Sequence, residues 1–460
     1  MFHLRNQTMQ LKKLATAGMA CSQGLSALAF QARHISMSTV VKGPQSNYGD
    51  IPMGPPDAIL GLNEAFQKDS NPNKITLGVG AYRGDDGKPY VLPSVRAAEE
   101  KLVAAGMQHE YAGIAGIPSF VEKSLKFAYG KDAQVLADKR VAAVQSLSGT
   151  GACRVIGEFY ATFMGRGSKI FMPNPTWGNH IPIMKNAGLE PAQYTYYDPA
   201  TCGLDFAGMM RDVAAAPDKS IFLLHACAHN PTGVDPSREQ WAELSQLMLE
   251  KQHNVFFDCA YQGFASGDAE ADAWALRKFV DDGHCIALGQ SYAKNFGLYG
   301  ERVGALSVVG RDAEEAARVL SQIKRVVRPM YSNPPVYGAR LVDAILSDPA
   351  LEAQWRQECK GMADRIISMR TLLRGKLEGL GNPRPWNHIT DQIGMFAYSG
   401  LNKEEVAALR ADYSIYLTGG GGSAWPGVTS GNVDYLATPF TRSPPRNEEG
   451  SFGGAFVFEF

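Results

Sequence analysis

Charge of one sign is what this chain most conspicuously lacks. Forty-five Lys and Arg face 46 Asp and Glu over 460 residues, leaving a net charge of -1. A nucleic-acid binder normally carries a basic excess, so that class is excluded. No apolar run reaches the roughly 18 residues that argue for a membrane span. The seven cysteines are scattered and no CxxC occurs, which excludes zinc-ribbon and thioredoxin-like readings. Most of these thiols sit in apolar stretches and suit a reducing compartment better than a disulfide scaffold. There is no GK followed by Ser or Thr, and no HExxH. That removes the P-loop and the zinc-protease helix.

A further absence is local. The first 49 residues contain no Asp or Glu, and Asp50 is the first acid. They hold Arg5, Lys12, Lys13, Arg33 and Lys42 among several Ser and Thr. Acid-poor, basic and serine-bearing is the composition of an organelle transit peptide. A secretory signal is the rival, with TAGMACSQGLSALAF as its apolar region, but Gln, Gly and Ser interrupt it. Mitochondrial import is therefore the expectation.

From about Ile51 the chain reads as globular. Helical stretches such as SVRAAEEKLVAA alternate with short apolar runs: VAAVQSL, KIFMP, SIFLLHACA, NVFFDCAY and CIALGQSYA. Alternation at this spacing predicts an α/β fold, a mainly parallel central sheet covered by helices on both faces. From Met362 the sequence predicts a long helix and then strands around QIGMFAYSG, a smaller α+β domain. Residues 50–89 would complete that domain from the other end, and 90–360 would form the large one. Open parallel sheets bind ligands beyond the carboxyl ends of their strands, so the residues after each apolar run carry the functional argument.

After VAAVQSL comes SGTGACR. A strand, a Ser-Gly-Thr-Gly turn and a helix outline a phosphate cradle, with glycines admitting the anion and helix N–H groups donating to it. A nicotinamide dinucleotide fits poorly, because the third glycine of GxGxxG is missing and no acid lies near Pro173. A single phosphate on a smaller cofactor fits better. After SIFLLHACA comes HNPTGVDPS, where Asn230 ends the strand and Asp235 with Pro236 predicts a helix start. His225 and His229 are spaced as metal ligands can be, but the Pro231 break and the lack of a nearby acid make them structural, and no metal is expected. After NVFF come Asp258 and Tyr261. A carboxylate ending so apolar a run is costly to bury unpaired. It is either a cap, a buried ion pair, or the partner of a protonated ring nitrogen. Last, SYAKNFGLYGERVG places Lys294 after an apolar strand, with Ser291 before it and Arg302 behind. A desolvated lysine is a nucleophile that forms a Schiff base, and Arg302 offers the fork a phosphate prefers. A phosphate cradle, a ring acceptor, a ring-nitrogen carboxylate and a reactive amine together describe pyridoxal 5'-phosphate.

These stretches, with LGVGAYR, PNPTWGNH and RPMYSNPP, resemble those of the class I, fold-type I aminotransferases that depend on pyridoxal phosphate. The likeness runs from about residue 53 to about Tyr416 and is nearest to the members acting on dicarboxylic amino acids. MGPPD after an acid-poor leader resembles their mitochondrial forms, so the expected location is the mitochondrial matrix. The resemblance implies that Lys294 binds the cofactor covalently and then shuttles a proton. It implies that Ser148, Gly149, Thr150, Ser291 and Arg302 bind the phosphate, with Tyr111 reaching it from the other subunit of a homodimer. Trp177 would stack on the ring, Asn230 and Tyr261 would bond its phenolic oxygen, and Asp258 would pair with its nitrogen. Trp177 and Asn230 would also face the substrate. Gly80 would line the substrate pocket. Arg328, near Ser332 and Asn333, would cross the dimer interface to the side-chain carboxylate of aspartate or glutamate. The products exchanged would be 2-oxoglutarate and oxaloacetate.

One departure stands out. Such enzymes carry a Gly-Arg pair near the C-terminus that grips the substrate α-carboxylate. Its place in YLTGGGGSAWPGVTSGNVDYL falls on Gly422, and no arginine occurs between Arg410 and Arg442. From about residue 419 the chain is atypical, and TRSPPRNEEGSFGGAFVFEF is broken by prolines and glycines. The expectation is weak transamination, with a cofactor-binding member of impaired or lost activity as the alternative.

Overall fold

All five apolar runs become strands, because each offers predominantly apolar residues to both faces of a buried sheet. The structure, a computed structural model, describes residues 46–54, 58–78, 80–381, 384–418 and 422–442. Most of the basic leader and the tail after Arg442, including Arg446, lie outside the described residues. The chain forms two units, residues 1–55 and 56–460. In the first, residues 46–54 are exposed turn and irregular backbone.

The central sheet has seven strands: β1 Val141–Leu147, β2 Lys169–Asn174, β3 Glu190–Thr195, β4 Ile221–His225, β5 Asn254–Cys259, β6 Ala287–Ser291 and β7 Val303–Val309. Their spatial order is β1-β7-β6-β5-β4-β2-β3. Pairs β6-β5, β5-β4, β4-β2 and β2-β3 are parallel, whereas β7 runs antiparallel to both β1 and β6. The sheet is thus mainly parallel, as its sequence predicts. Side chains alternate strictly between two cores. Ile221, Leu223 and Phe256 enter one, and Phe222, Leu224, Val255 and Phe257 enter the other. With period 2, a strand buried on both sides must be apolar throughout.

Two helix starts differ from expectation. Helix α2, Arg238–Glu250, is capped by Ser237 in a reciprocal pair with Gln240, not by Asp235. Ser237 lies three residues before Gln240, the spacing a capping box needs. Asp235 is turned inward for another purpose, described below. The long helix α4, Pro349–Gly379, begins at Pro349 rather than Met362. Asp348 caps it by accepting from the amides of Ala350 and Leu351, and Pro349 stands where no amide is needed.

Residues from both ends of the second unit meet. Ile75–Thr76 pairs in parallel with Ile415–Tyr416, and Phe396–Tyr398 pairs antiparallel with Gly422–Ala424. A third core runs from Ile75 and Leu77 through Trp355 and Leu373 of α4 to Val433 and Phe440. The last two belong to a closing helix, Val433–Arg442. Among the described residues no helix is long and apolar enough to cross a membrane.

Candidate active site

The carboxyl ends of β1, β5 and β6 bring the first group of residues together. Helix α1, Ser148–Phe163, begins directly where β1 ends, so its free N-terminal amides open at the sheet's edge. Ser148 makes this turn with φ +59°. Its Oγ lies 2.9 Å from Ser291 Oγ at the end of β6, and both side chains are buried. A Cβ on Gly149 would come within 3.3 Å of Ser291 Cβ and 3.8 Å of Asp258 Oδ1. The cradle is thus tight against the next two strand ends. Thr150 is partly buried in the same first turn.

Lys294 stands in the turn after β6, with Nζ 5.5 Å from the centre of the Tyr261 ring. Burial pushes its pKa below the ordinary lysine value, and the Arg302 charge pushes the same way against Asp258. A lowered amine pKa is what a nucleophilic lysine requires. Arg302 is exposed, has φ +53°, and donates to the Tyr299 carbonyl at 3.0 Å.

Asp258 near the end of β5 meets His180 Nε2 at 3.2 Å. Burial raises its pKa, but the His180 hydrogen bond and charge, then His225 and Lys294, outweigh that and hold it below the usual carboxylate value. The group is therefore ionised although it is largely buried. His180 is held in turn by Thr176 Oγ1 at Nδ1, 2.8 Å away, and the edge of Trp177 packs on it at 5.1 Å between ring centres. Sequence reasoning missed His180, although it closes the quoted stretch PNPTWGNH three residues after Trp177. Beyond it His225 packs edge-on to His180 with 5.3 Å between ring centres, and His229 lies tilted against His225 at 4.3 Å. Burial pushes His225 down to about 3 and His229 well below its ordinary value, so both stay neutral.

Asn230 stands beside Tyr261, where it counteracts the rise of the phenol pKa with burial, and sends its backbone amide to His225 Nδ1 at 3.1 Å. The backbone ahead of it is pinned by Asp235, whose two oxygens accept from the amides of Ala228 at 2.7 Å and His229 at 2.9 Å. That is the role Asp235 plays instead of capping α2. Burial pushes it to about 6. Asp235→Ala would orphan two buried amides at about 1–3 kcal/mol each. Relief of the carboxylate's own burial offsets part of this, so we expect a loss of about 2 kcal/mol in unfolding free energy. Asp235→Asn, which keeps one acceptor, should lose less. Urea denaturation of the two variants measures the difference; an unchanged midpoint in Asp235→Ala would refute the pinning.

The remaining positions lie around this group. A Cβ on Gly80 would come within 2.9 Å of Phe396 Cζ, and the Phe396 ring packs edge-on to Tyr261 at 6.2 Å. Phe396 is therefore a wall residue that sequence reasoning did not single out; nothing but the fold brings it there. Gly422 pairs with Tyr398, two residues beyond Phe396 on the same strand. Tyr111 is 83 % exposed, and Arg328, also exposed near the end of helix α3, Ala313–Tyr331, donates to Ser332 Oγ. The leader and residues 419–421 lie outside the described residues.

Three comparisons bear on this geometry. The family model for aminotransferase class I and II matches residues 72–436. The chain is 54 % identical over 390 residues to the mitochondrial aspartate aminotransferase of Dictyostelium discoideum, covering 85 % of this chain and 91 % of that protein. Identity to the mitochondrial aspartate aminotransferase of Gallus gallus is 53 % over 390 residues, covering 85 % and 92 %. Among solved structures, an aromatic-amino-acid aminotransferase of Burkholderia pseudomallei covalently bound to pyridoxal phosphate superposes with a TM-score of 0.84 at 41 % identity, covering 86 % and 99 %. A mitochondrial aspartate aminotransferase of Trypanosoma brucei gives 0.80 at 43 %, covering 83 % and 99 %. None of these lends support to a member without transaminase activity, and that alternative is not carried forward. The chain belongs to the class I and II aminotransferase family.

Proposed function

We propose that this protein transfers the amino group of aspartate to 2-oxoglutarate, giving oxaloacetate and glutamate, with pyridoxal 5'-phosphate as its cofactor. The observation that carries this reading is that Lys294, with Nζ 5.5 Å from the Tyr261 ring, and the largely buried Asp258 stand together at the strand ends, each held below its ordinary pKa. Identity of 53–54 % to proteins named aspartate aminotransferase supports the substrate. The residues present fit the group: a hydroxyl-lined helix N-terminus for one phosphate, an ionised carboxylate for a protonated ring nitrogen, and a Tyr261–Asn230 pair for a phenolic oxygen. Bound there, the cofactor supplies a carbonyl for an amine and a ring that takes up the electron pair left at Cα.

The chain's own residues do the rest. Ser148, Gly149, Thr150, Ser291 and Arg302 hold the phosphate, joined by Tyr111 of a second copy. Asp258, fixed by His180, keeps the ring nitrogen protonated. Asn230 and Tyr261 orient the phenolic oxygen, and Trp177 covers the ring. Lys294 Nζ holds the cofactor and then takes the proton from substrate Cα. Gly80 leaves room for the substrate. Arg328 of a second copy grips the side-chain carboxylate, which makes a homodimer with shared sites the working assembly. Its exposure, and that of Tyr111, fits a partner surface. The acid-poor leader and the mitochondrial relatives support the mitochondrial matrix as its location.

The direct test is a coupled assay of oxaloacetate formation from aspartate and 2-oxoglutarate by the cofactor-loaded chain. Turnover of an aromatic amino acid but not aspartate would refute the substrate assignment. Gly422 yields a second expectation. With no guanidinium at this position, Gly422→Arg should raise kcat/KM for aspartate about tenfold, worth about 1.4 kcal/mol of added carboxylate binding. Steady-state kinetics of the two proteins decide it; an equal or lower kcat/KM would show that the clamp lies elsewhere.

A further inference from the structure

Beneath Asp258 lies a group that the proposed reaction does not use. Cys153 sits on α1, one turn beyond Gly149, and its side chain is fully buried. Its thiol, one nitrogen of His180 and one oxygen of Asp258 all lie within 4.8 Å of one another. His180 is also fully buried, and Asp258 is 11 % exposed. Burial and then the neighbouring Asp258 push the Cys153 pKa well above its ordinary value, so the thiol is protonated and unreactive by itself.

We propose that Cys153, His180 and Asp258 form a binding site for a thiophilic divalent cation, Zn²⁺, which occupies the pocket when the cofactor has left and excludes its return. Thiol, imidazole and carboxylate are the donor types that zinc takes, and three protein ligands with one open position are a familiar zinc arrangement. Hard cations such as Mg²⁺ prefer all-oxygen shells and are disfavoured here. Bonds of about 2.0–2.3 Å at tetrahedral angles place ligand atoms about 3.3–3.8 Å apart. His180 Nε2 and Asp258 Oδ2 already stand at 3.2 Å, and the widest present separation needs to close by only about 1 Å. Rotation of the Cys153 and Asp258 side chains accomplishes that.

The surroundings favour the ion as well. Thr176 Oγ1 lies 2.8 Å from His180 Nδ1; when the ion displaces the hydrogen bond from Nε2 to Asp258, the ring proton moves to Nδ1 and is donated to Thr176, which gives the ligand histidine the outer contact that metal-binding histidines usually have. On binding, the Cys153 thiol gives its proton to solvent. One thiolate and one carboxylate then balance the two charges of the ion, so no net charge is buried. Because Asp258 would also serve the ring nitrogen, metal and cofactor compete for it. The competition rests on the proposed cofactor site; the metal site rests on its own three ligands.

The test uses the full chain freed of cofactor. Equilibrium dialysis against Zn²⁺ should find one tightly held ion per chain. Cys153→Ala should weaken that binding at least about 100-fold, since loss of a direct ligand exceeds the 10- to 100-fold cost of losing an outer contact. Co²⁺ in place of Zn²⁺ should give a thiolate charge-transfer band in the parent and none in the variant. Cys153→Ser serves if Cys153→Ala folds poorly. With Zn²⁺ bound, uptake of pyridoxal phosphate should slow at least tenfold in the parent and stay unchanged in either variant. Zinc binding of equal strength in parent and variants would overturn the proposal, as would zinc that binds through Cys153 without slowing cofactor uptake. Cysteine-dependent zinc binding in a chain that takes up no cofactor would uphold the metal site and sink the aminotransferase reading instead.

Discussion

Lys294→Ala is expected to lower kcat for aspartate by about 10⁴-fold, the upper end of what a positioned proton-transfer group contributes. The reasoning starts from the side chain's surroundings. Burial pushes its pKa down, so more of the amine is free at neutral pH than for an exposed lysine. Asp258 opposes this shift. Asp258→Asn should therefore lower the Lys294 pKa further, so that covalent cofactor uptake rises with pH through a lower midpoint than in the parent. Single-turnover absorbance measurements give both quantities, and borohydride should fix the cofactor on Lys294 in the parent only. A Lys294→Ala chain within about tenfold of the parent rate would show that another base moves the proton.

Arg328→Ala should reduce kcat/KM for aspartate by about 30- to 3,000-fold, the equivalent of about 2–5 kcal/mol for a charge pair shielded from water. Alanine, which has no side-chain carboxylate, should be affected far less. In the single chain Arg328 is exposed and, among the described residues, donates only to a neighbouring hydroxyl, Ser332. Its effect on catalysis therefore depends on a second copy. Mixing Lys294→Ala and Arg328→Ala chains tests this. If sites are shared across a twofold axis, each mixed dimer regains one intact site, and random mixing restores about a quarter of the parent activity. Chains that exchange, as shown by differential tags, but restore nothing would rule out sharing.

The strand ends were legible in the sequence because a sheet buried on both faces needs unbroken apolar runs, and the polar residues that interrupt them are costly unless used. Ser148, Asp258, Ser291 and Lys294 all follow such runs. The family was legible because those residues recur in a fixed order. Other features depend on contacts between distant segments, which local pattern does not encode. Asp235 precedes a proline and looks like a helix cap, but the chain folds back so that its carboxylate meets the amides of Ala228 and His229, while Ser237 caps the helix. Gln240 three residues after Ser237 is a local signal for the cap, but nothing local says that Asp235 turns inward. Phe396 is one aromatic among many until its strand lies across Gly80 and Tyr261. Cys153 reads as a small core residue; its approach to His180 and Asp258 is set by α1 packing on one face of the sheet, over Phe256, Ala287 and Leu306. Sequence alone determined which residue types stand at the ends of buried strands, because burial penalises any other placement. Tertiary structure decided which of them share one space, because that follows from strand order and crossover, and residues 105 positions apart such as Cys153 and Asp258 have no local signal in common.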